Sequence, residues 1–199
     1  MYAGFHAHDL GDGHRFFVGA LPPALRPDAA GFAALWELHP GDYHVIKMHG
    51  REVPTPRWQQ AYGADYHYTG RVNRALPPTP QMRPFLEWAQ AAIDPRLNGL
   101  LFNWYDGARG HYIGKHRDSR IGMIDGAPIV TISLGEERTF RIRPWRGAGV
   151  HDFAASDGAV FILPYATNLA YTHEVPHAAR HRGRRISITL RGFTQAAPG

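Results

Sequence analysis

His116-Arg117-Asp118 sets an imidazole and a carboxylate two residues apart. In extended backbone such residues project to the same side, so both can reach one ion. A third ligand has to come from elsewhere, and His173 qualifies because it ends the strand-like run Leu169-Ala170-Tyr171-Thr172-His173. Two imidazoles and one carboxylate form the facial triad that leaves positions open on non-haem iron(II) for O2 and a co-substrate. Zinc prefers a closed tetrahedral set, or an added water and hydrolysis. With 13 histidines in the chain, an H-x-D pair also arises by chance, and a solvated loop pair accounts for it alone.

The C-terminal run Arg185-Ile186-Ser187-Ile188-Thr189-Leu190-Arg191 alters that balance. Ile186, Ile188 and Leu190 alternate with polar residues, so one face carries two guanidiniums. Holding both near a metal is costly unless they meet anions, and a small dicarboxylate supplies two. Guanidinium binds carboxylate through a bidentate, charge-assisted fork. An exposed edge strand with ordinary surface arginines is the alternative for either residue taken singly.

The elements that must position these groups read as follows. Helices are expected over Asp28–Leu38 and Gln81–Ile93, the second with Met82, Phe85, Leu86, Ala89 and Ile93 at helical spacing. After Pro95 come short apolar or alternating runs between turn residues: Leu100–Tyr105, Ile129–Leu134, Thr139–Arg143, Ala159–Leu163, Leu169–His173 and Arg185–Arg191. Such spacing predicts a β-sandwich or barrel. One domain is expected, with residues 1–95 as a helical and lid extension and 96–193 as the catalytic core.

Bulk composition narrows the function. The 199 residues, 44% of them hydrophobic, suffice for one full core, and no apolar run reaches the ~18 residues that would span a membrane. The opening MYAGFHAHDLGDGHRFF lacks the basic-then-apolar pattern of a secretory signal. Zero cysteines excludes disulfides, thiolate metal sites and cysteine nucleophiles, and permits the cytoplasmic location expected here. A formal charge of +5 suits a polyanionic partner such as nucleic acid, and equally suits an ordinary basic enzyme. A monomer is expected.

In order along the chain, Asn103-Trp104-Tyr105, His116-x-Asp118, Thr131-Ile132-Ser133-Leu134-Gly135, His173 and Arg185-x5-Arg191 together resemble the AlkB family of 2-oxoglutarate oxygenases. The resemblance covers roughly residues 98 to 193. It implies a mainly β (α+β) fold, a double-stranded β-helix or jelly-roll core with an N-terminal lid. It also implies that Fe(II), 2-oxoglutarate and O2 are used. By the same resemblance Asn103 and Tyr105 would hydrogen-bond 2-oxoglutarate, Arg185 would pair with its distal carboxylate, and Arg191 would lie near the iron-chelating end. His177 and His181 are rivals for the third metal position, and His173 fits the family's placement ahead of the arginine strand.

Upstream, Pro56-Arg57, Tyr62-Gly63 and Tyr66-x-Tyr68-Thr69-Gly70 resemble the lid of AlkB-type demethylases. That likeness implies that Tyr68 stacks on an extruded base while Tyr66 and Arg57 contact nucleic acid. Aromatics packing a lid are the plainer account. Arg120 departs from the pattern, since repair members carry an acid there that reads the base's exocyclic amine. An arginine accepts no hydrogen bond. The function implied is oxidative demethylation of alkylated bases in a single strand or a flipped base. Two alternatives are the same chemistry on a small molecule or protein side chain, with Arg120 reading an acid, and a nucleic-acid-binding module without catalysis.

Overall fold

A computed structural model describes residues 2–48, 50–68 and 71–194, with the side chains of Met48 and Tyr68 outside the description. The elements in chain order are β1 (His6–Gly11), β2 (His14–Ala20), α1 (Ala29–Trp36), β3 (Val45–Met48), β4 (Arg51–Pro54), β5 (Trp58–Tyr62), β6 (Tyr66–Tyr68) and β7 (Arg71–Asn73). They continue as α2 (Arg83–Ala92), β8 (Gly99–Asp106), β9 (Ile113–His116), β10 (Ile129–Gly135), β11 (Arg138–Pro144), β12 (His151–Ala155), β13 (Ala159–Leu163), α3 (Tyr165–Ala170), β14 (Tyr171–Val175) and β15 (Arg184–Arg191). A seven-stranded sheet runs β1-β2-β13-β10-β15-β8-β5, and a four-stranded sheet runs β12-β11-β14-β9. The hairpins β3-β4 and β6-β7 lie outside both. No described helix is long and apolar enough to cross a membrane.

The large sheet is covered on both faces, which explains its alternation. Leu100, Phe102 and Trp104 of β8 and Ile186, Ile188 and Leu190 of β15 share one core with Leu35, Trp36, Phe85 and Ala89 of the helices. Trp104 closes that layer by donating its indole N–H to the Leu35 carbonyl at 2.9 Å. Asp28 caps α1, its carboxylate accepting from the Gly31 amide at 2.8 Å, which satisfies a donor that the helix start leaves open. The opposite face meets the small sheet through Phe16, Leu101, Phe140, Ile142, Phe161 and Val175. Residues of β8 and β15 with the other parity therefore point between the sheets. Among them are Asn103, Tyr105, Arg185, Ser187, Thr189 and Arg191, and these polar groups have only the inter-sheet space to face.

Residues ahead of 96 also enter this core. Strands β1 and β2 extend the large sheet at one edge, and β5 pairs with β8 at the other. A further difference lies at Leu169 and Ala170, expected to be extended but found in the last turn of α3. The strand begins at Tyr171, because Pro164 starts a short helix that buries Thr167 and Asn168 instead.

Candidate metal and co-substrate site

Antiparallel pairing brings the distant ligands together. In the β14–β9 ladder His173 sits directly opposite His116, and their rings lie 4.3 Å apart. Asp118 follows two residues past His116. The candidate ligand atoms of His116, Asp118 and His173 all lie within 4.8 Å of one another, the sole such cluster of three among the described residues. The Asp118 Oδ1 stands 3.6 Å from His116 Nε2 and 3.9 Å from His173 Nε2. His116 donates from Nδ1 to the Gly114 carbonyl at 2.8 Å, so Nε2, the nitrogen facing Asp118, is the one a metal would meet. The rival histidines lie elsewhere: His177 packs edge-on against Tyr112, and His181 Nδ1 is 3.8 Å from Glu136.

Electrostatics favour the metal-binding form of His173 and Asp118. Burial first, then the neighbouring His116 ring, lowers His173 to about 3, so it is neutral near pH 7. Burial alone would raise the Asp118 carboxyl, but Arg191, His173 and His116 outweigh it and hold the group far below the usual carboxylate range. Asp118 Oδ2 is buried with no hydrogen-bond partner among the described residues. A buried carboxylate oxygen left in that state costs about 1–3 kcal/mol or more, and a cation offsets it. Two imidazole nitrogens, one carboxylate and open space beside them fit a non-haem Fe(II) centre.

A sequence reading misses the residue that fixes Asp118. Asn168 is 1% exposed, its side-chain oxygen accepts from the Asp118 amide at 3.0 Å, and its NH2 donates to the Asp118 carbonyl at 3.1 Å. The only signal was a polar residue in the run Tyr165–Ala170 ahead of His173, and it did not distinguish itself.

Beside the triad lies a narrow chamber of about 40 Å³, lined by Asn103, Tyr105, Arg185, Arg191 and Arg57 among others. Arg185 is 0% exposed; its Nε donates to Ser133 Oγ at 3.0 Å, and its Cζ lies 5.0 Å from the Tyr105 ring centroid. Both terminal nitrogens of Arg185 lack a hydrogen-bond partner among the described residues. Register accounts for this grouping, with Arg185 opposite Tyr105 and Ser187 opposite Asn103. Arg191 forms an ion pair with Asp118 Oδ1 and lies 4.3 Å from the Tyr66 ring centroid.

The upstream residues divide. Arg57 is buried and turned inward, donating to Asn103 at 2.8 Å and to Gln59 at 2.9 Å. Tyr66 is also buried, its hydroxyl donating to the Thr189 carbonyl at 3.3 Å. The Tyr68 side chain, and Thr69 and Gly70 with it, lie outside the described residues. Arg120 is exposed and lines a separate open cleft that shares His116 and Asp118 with the chamber.

A family profile of the 2OG-Fe(II) oxygenase superfamily matches residues 37–191. The human protein named DNA oxidative demethylase ALKBH2 is 25% identical over 157 residues, covering 73% of this chain. The chain spans about 60% of that relative's length. Among solved structures, one titled the structure of OsALKBH1 superposes with a TM-score of 0.60 at 13% identity, covering 94% of this chain and 100% of that one. An oxidoreductase of the 2OG-Fe(II) oxygenase family from Burkholderia pseudomallei gives 0.55 at 18% identity, covering 90% and 89%. These two likenesses concern the fold, the jelly roll of packed sheets. The chain therefore belongs to the 2OG-Fe(II) oxygenase superfamily, and within it to the AlkB-like dioxygenases, whose chemistry uses Fe(II), 2-oxoglutarate and O2.

Proposed function

We propose that the chain oxidatively demethylates alkylated nucleic-acid bases, with His116, Asp118 and His173 holding Fe(II). The observation that carries this reading is the pairing of two incomplete sites in one space. A buried carboxylate oxygen of Asp118 and two buried guanidinium nitrogens of Arg185 all lack partners among the described residues. A metal chelated by a keto diacid supplies what both need. Arg185 takes the distal carboxylate in a charge-assisted fork, with Tyr105 and Asn103 beside it. Arg57, hydrogen-bonded to Asn103, and Arg191, paired with Asp118, line the same chamber. Arg191, beside Asp118, would lie near the chelating end of the diacid.

When bound, iron and 2-oxoglutarate couple O2 reduction, with release of succinate and CO2, to hydroxylation of a substrate C–H bond; an N-methyl group so oxidised leaves as formaldehyde. The protein's own contribution is placement. Asn168 holds the Asp118 backbone at both its amide and carbonyl, and Gly114 orients His116. Apolar Phe140 and Val175 wall the chamber and limit water.

The nucleic-acid part rests on the lid motif from Pro56 to Gly70 and on the likeness to the human demethylase. A base in duplex would first have to leave the stack, at a cost of a few kcal/mol. One observation favours a second reading, hydroxylation of an anionic small molecule or protein side chain. Arg120, where an acid is expected to read a methylated base, stands exposed at the open cleft. A panel of methylated DNA and RNA oligonucleotides, scored for demethylated product and formaldehyde, separates the two. Product from at least one member is expected; its absence across the panel, with 2-oxoglutarate turnover intact, overturns the nucleic-acid reading.

A further inference from the structure

The open cleft next to the triad has a composition that the chemistry at the metal does not require. Its volume is about 590 Å³, within the ~300–1,000 Å³ of ligand-binding clefts. Lys115, Arg117 and Arg120 line it and are all exposed, and Asp118 is the single carboxylate residue in its wall. None of these three cations is in an ion pair among the described residues, although Arg120 hydrogen-bonds to the Tyr165 hydroxyl. Three cations at one mouth repel one another, so the cleft favours an anion with more than one charge.

The second component is aromatic. Trp145, in the turn between β11 and β12, is 49% exposed. A single exposed indole is ordinary, but this one is fixed. The Arg117 Cζ lies 4.0 Å from its ring centroid, while Arg117 Nη1 donates to the Leu169 carbonyl at 2.9 Å. Those contacts pin indole and guanidinium together as one ledge beside Asp118. Exposed cations outside ion pairs, beside a fixed aromatic surface, form the combination that grips single-stranded nucleic acid, with phosphates on the charges and bases on the ring.

We propose that this cleft seats the strand flanking the target nucleotide: Lys115 and Arg120 take its phosphates, and Trp145 stacks a neighbouring unpaired base. The inference rests on the nucleic-acid reading above and makes it more specific. Because Trp145 needs an unpaired neighbour, the protein prefers single strands to duplexes. Arg120, out of place as a reader of a methylated base, is here a reader of backbone.

Binding of an unmodified, fluorescein-labelled oligothymidylate, followed by anisotropy between about 50 and 200 mM salt, tests this without any turnover. The logarithm of the affinity falls with the logarithm of salt by about 0.7 per phosphate contacted on a single strand. Lys115→Gln and Arg120→Gln should each reduce that slope by about 0.7. Trp145→Ala should weaken single-strand binding about 5- to 150-fold, the loss of stacking one base, and abolish the preference over duplex. Arg83→Gln, an equal charge change at the start of α2, should leave affinity and slope as they were. Equal effects from Arg83→Gln, or unchanged binding in the three cleft variants, overturn the ledge even if demethylation is found. Displacement of the strand by millimolar inorganic phosphate, with no dependence on Trp145, also overturns it in favour of a small-anion site. If instead the strand binds as described and no methylated oligonucleotide is processed, the ledge stands and the demethylase reading fails.

Discussion

Replacing Arg185 by methionine should move two quantities in different directions, because the guanidinium serves the ligand and not the fold. The side chain is wholly buried, yet it has a single hydrogen bond, to Ser133, and a contact with the Tyr105 ring. Losing that bond costs about 0.5–1.5 kcal/mol, and losing the ring contact about 0.5–2 kcal/mol. Against this stands the desolvation of a cation with two unpartnered nitrogens, several kcal/mol even after relaxation. Methionine fills similar space without that penalty. The ligand-free variant should therefore melt at or a few degrees above the parent, at about 2–4 °C per kcal/mol for a domain of this size.

The effect on 2-oxoglutarate is opposite. A buried carboxylate left without its cation costs about 2–5 kcal/mol, or about 30- to 4,000-fold in affinity. At a concentration 1,000 times the parent's Kd, 2-oxoglutarate stabilises the parent by about 4.1 kcal/mol. A variant weakened about 100-fold gains about 1.4 kcal/mol at the same concentration. Thermal melts with and without 2-oxoglutarate, with Mn(II) in place of iron so that no turnover intervenes, read both effects. If the ligand-free variant melts several degrees lower while the 2-oxoglutarate shift is unchanged, Arg185 is a packing residue and the reasoning fails.

Asp118→Asn and Asp118→Ala should both lose iron-dependent succinate formation but differ in stability. Alanine strands the buried Arg191 cation and costs about 3–5 kcal/mol, whereas asparagine keeps a hydrogen-bond acceptor for it; identical melting temperatures would show that the pair contributes nothing. Asn168→Ala should weaken iron binding about 10- to 100-fold, since both bonds fixing the Asp118 backbone are lost, and an unchanged Fe(II) titration would remove Asn168 from that role. Tyr66→Phe should cost under ~1 kcal/mol, its hydroxyl bond being long, while Tyr66→Ala should cost about 3–5 kcal/mol in denaturant melts. Equal losses from the two would shift the weight from the ring to the hydroxyl.

Strand β15 was legible because its two faces meet different partners. Ile186, Ile188 and Leu190 face the helices while Arg185, Ser187, Thr189 and Arg191 face the gap between sheets, so a period of two survives. The H-x-D pair was legible from its spacing, although β9 ends at His116 and Asp118 lies in the loop that follows. Its closeness to His173 was not, because it arises from cross-strand pairing between segments more than fifty residues apart, which no local pattern encodes. Strand β1 escaped notice because His6-Ala7-His8-Asp9 is a polar edge with little burial to impose alternation. Helix α3 escaped because six residues are too few to establish a 3.6-residue period, and Asn168 was lost with it. The lid motif named Arg57, but only the fold revealed its side chain turned onto Asn103.

The central claim, three side chains gathering one Fe(II) beside a slot for a keto diacid, is tested most directly by anaerobic titration with Fe(II) and 2-oxoglutarate. The chelate's metal-to-ligand absorption band should grow to one equivalent in the parent and be absent in His173→Gln at the same concentrations. A band of full intensity in His173→Gln, or none in the parent, contradicts the account.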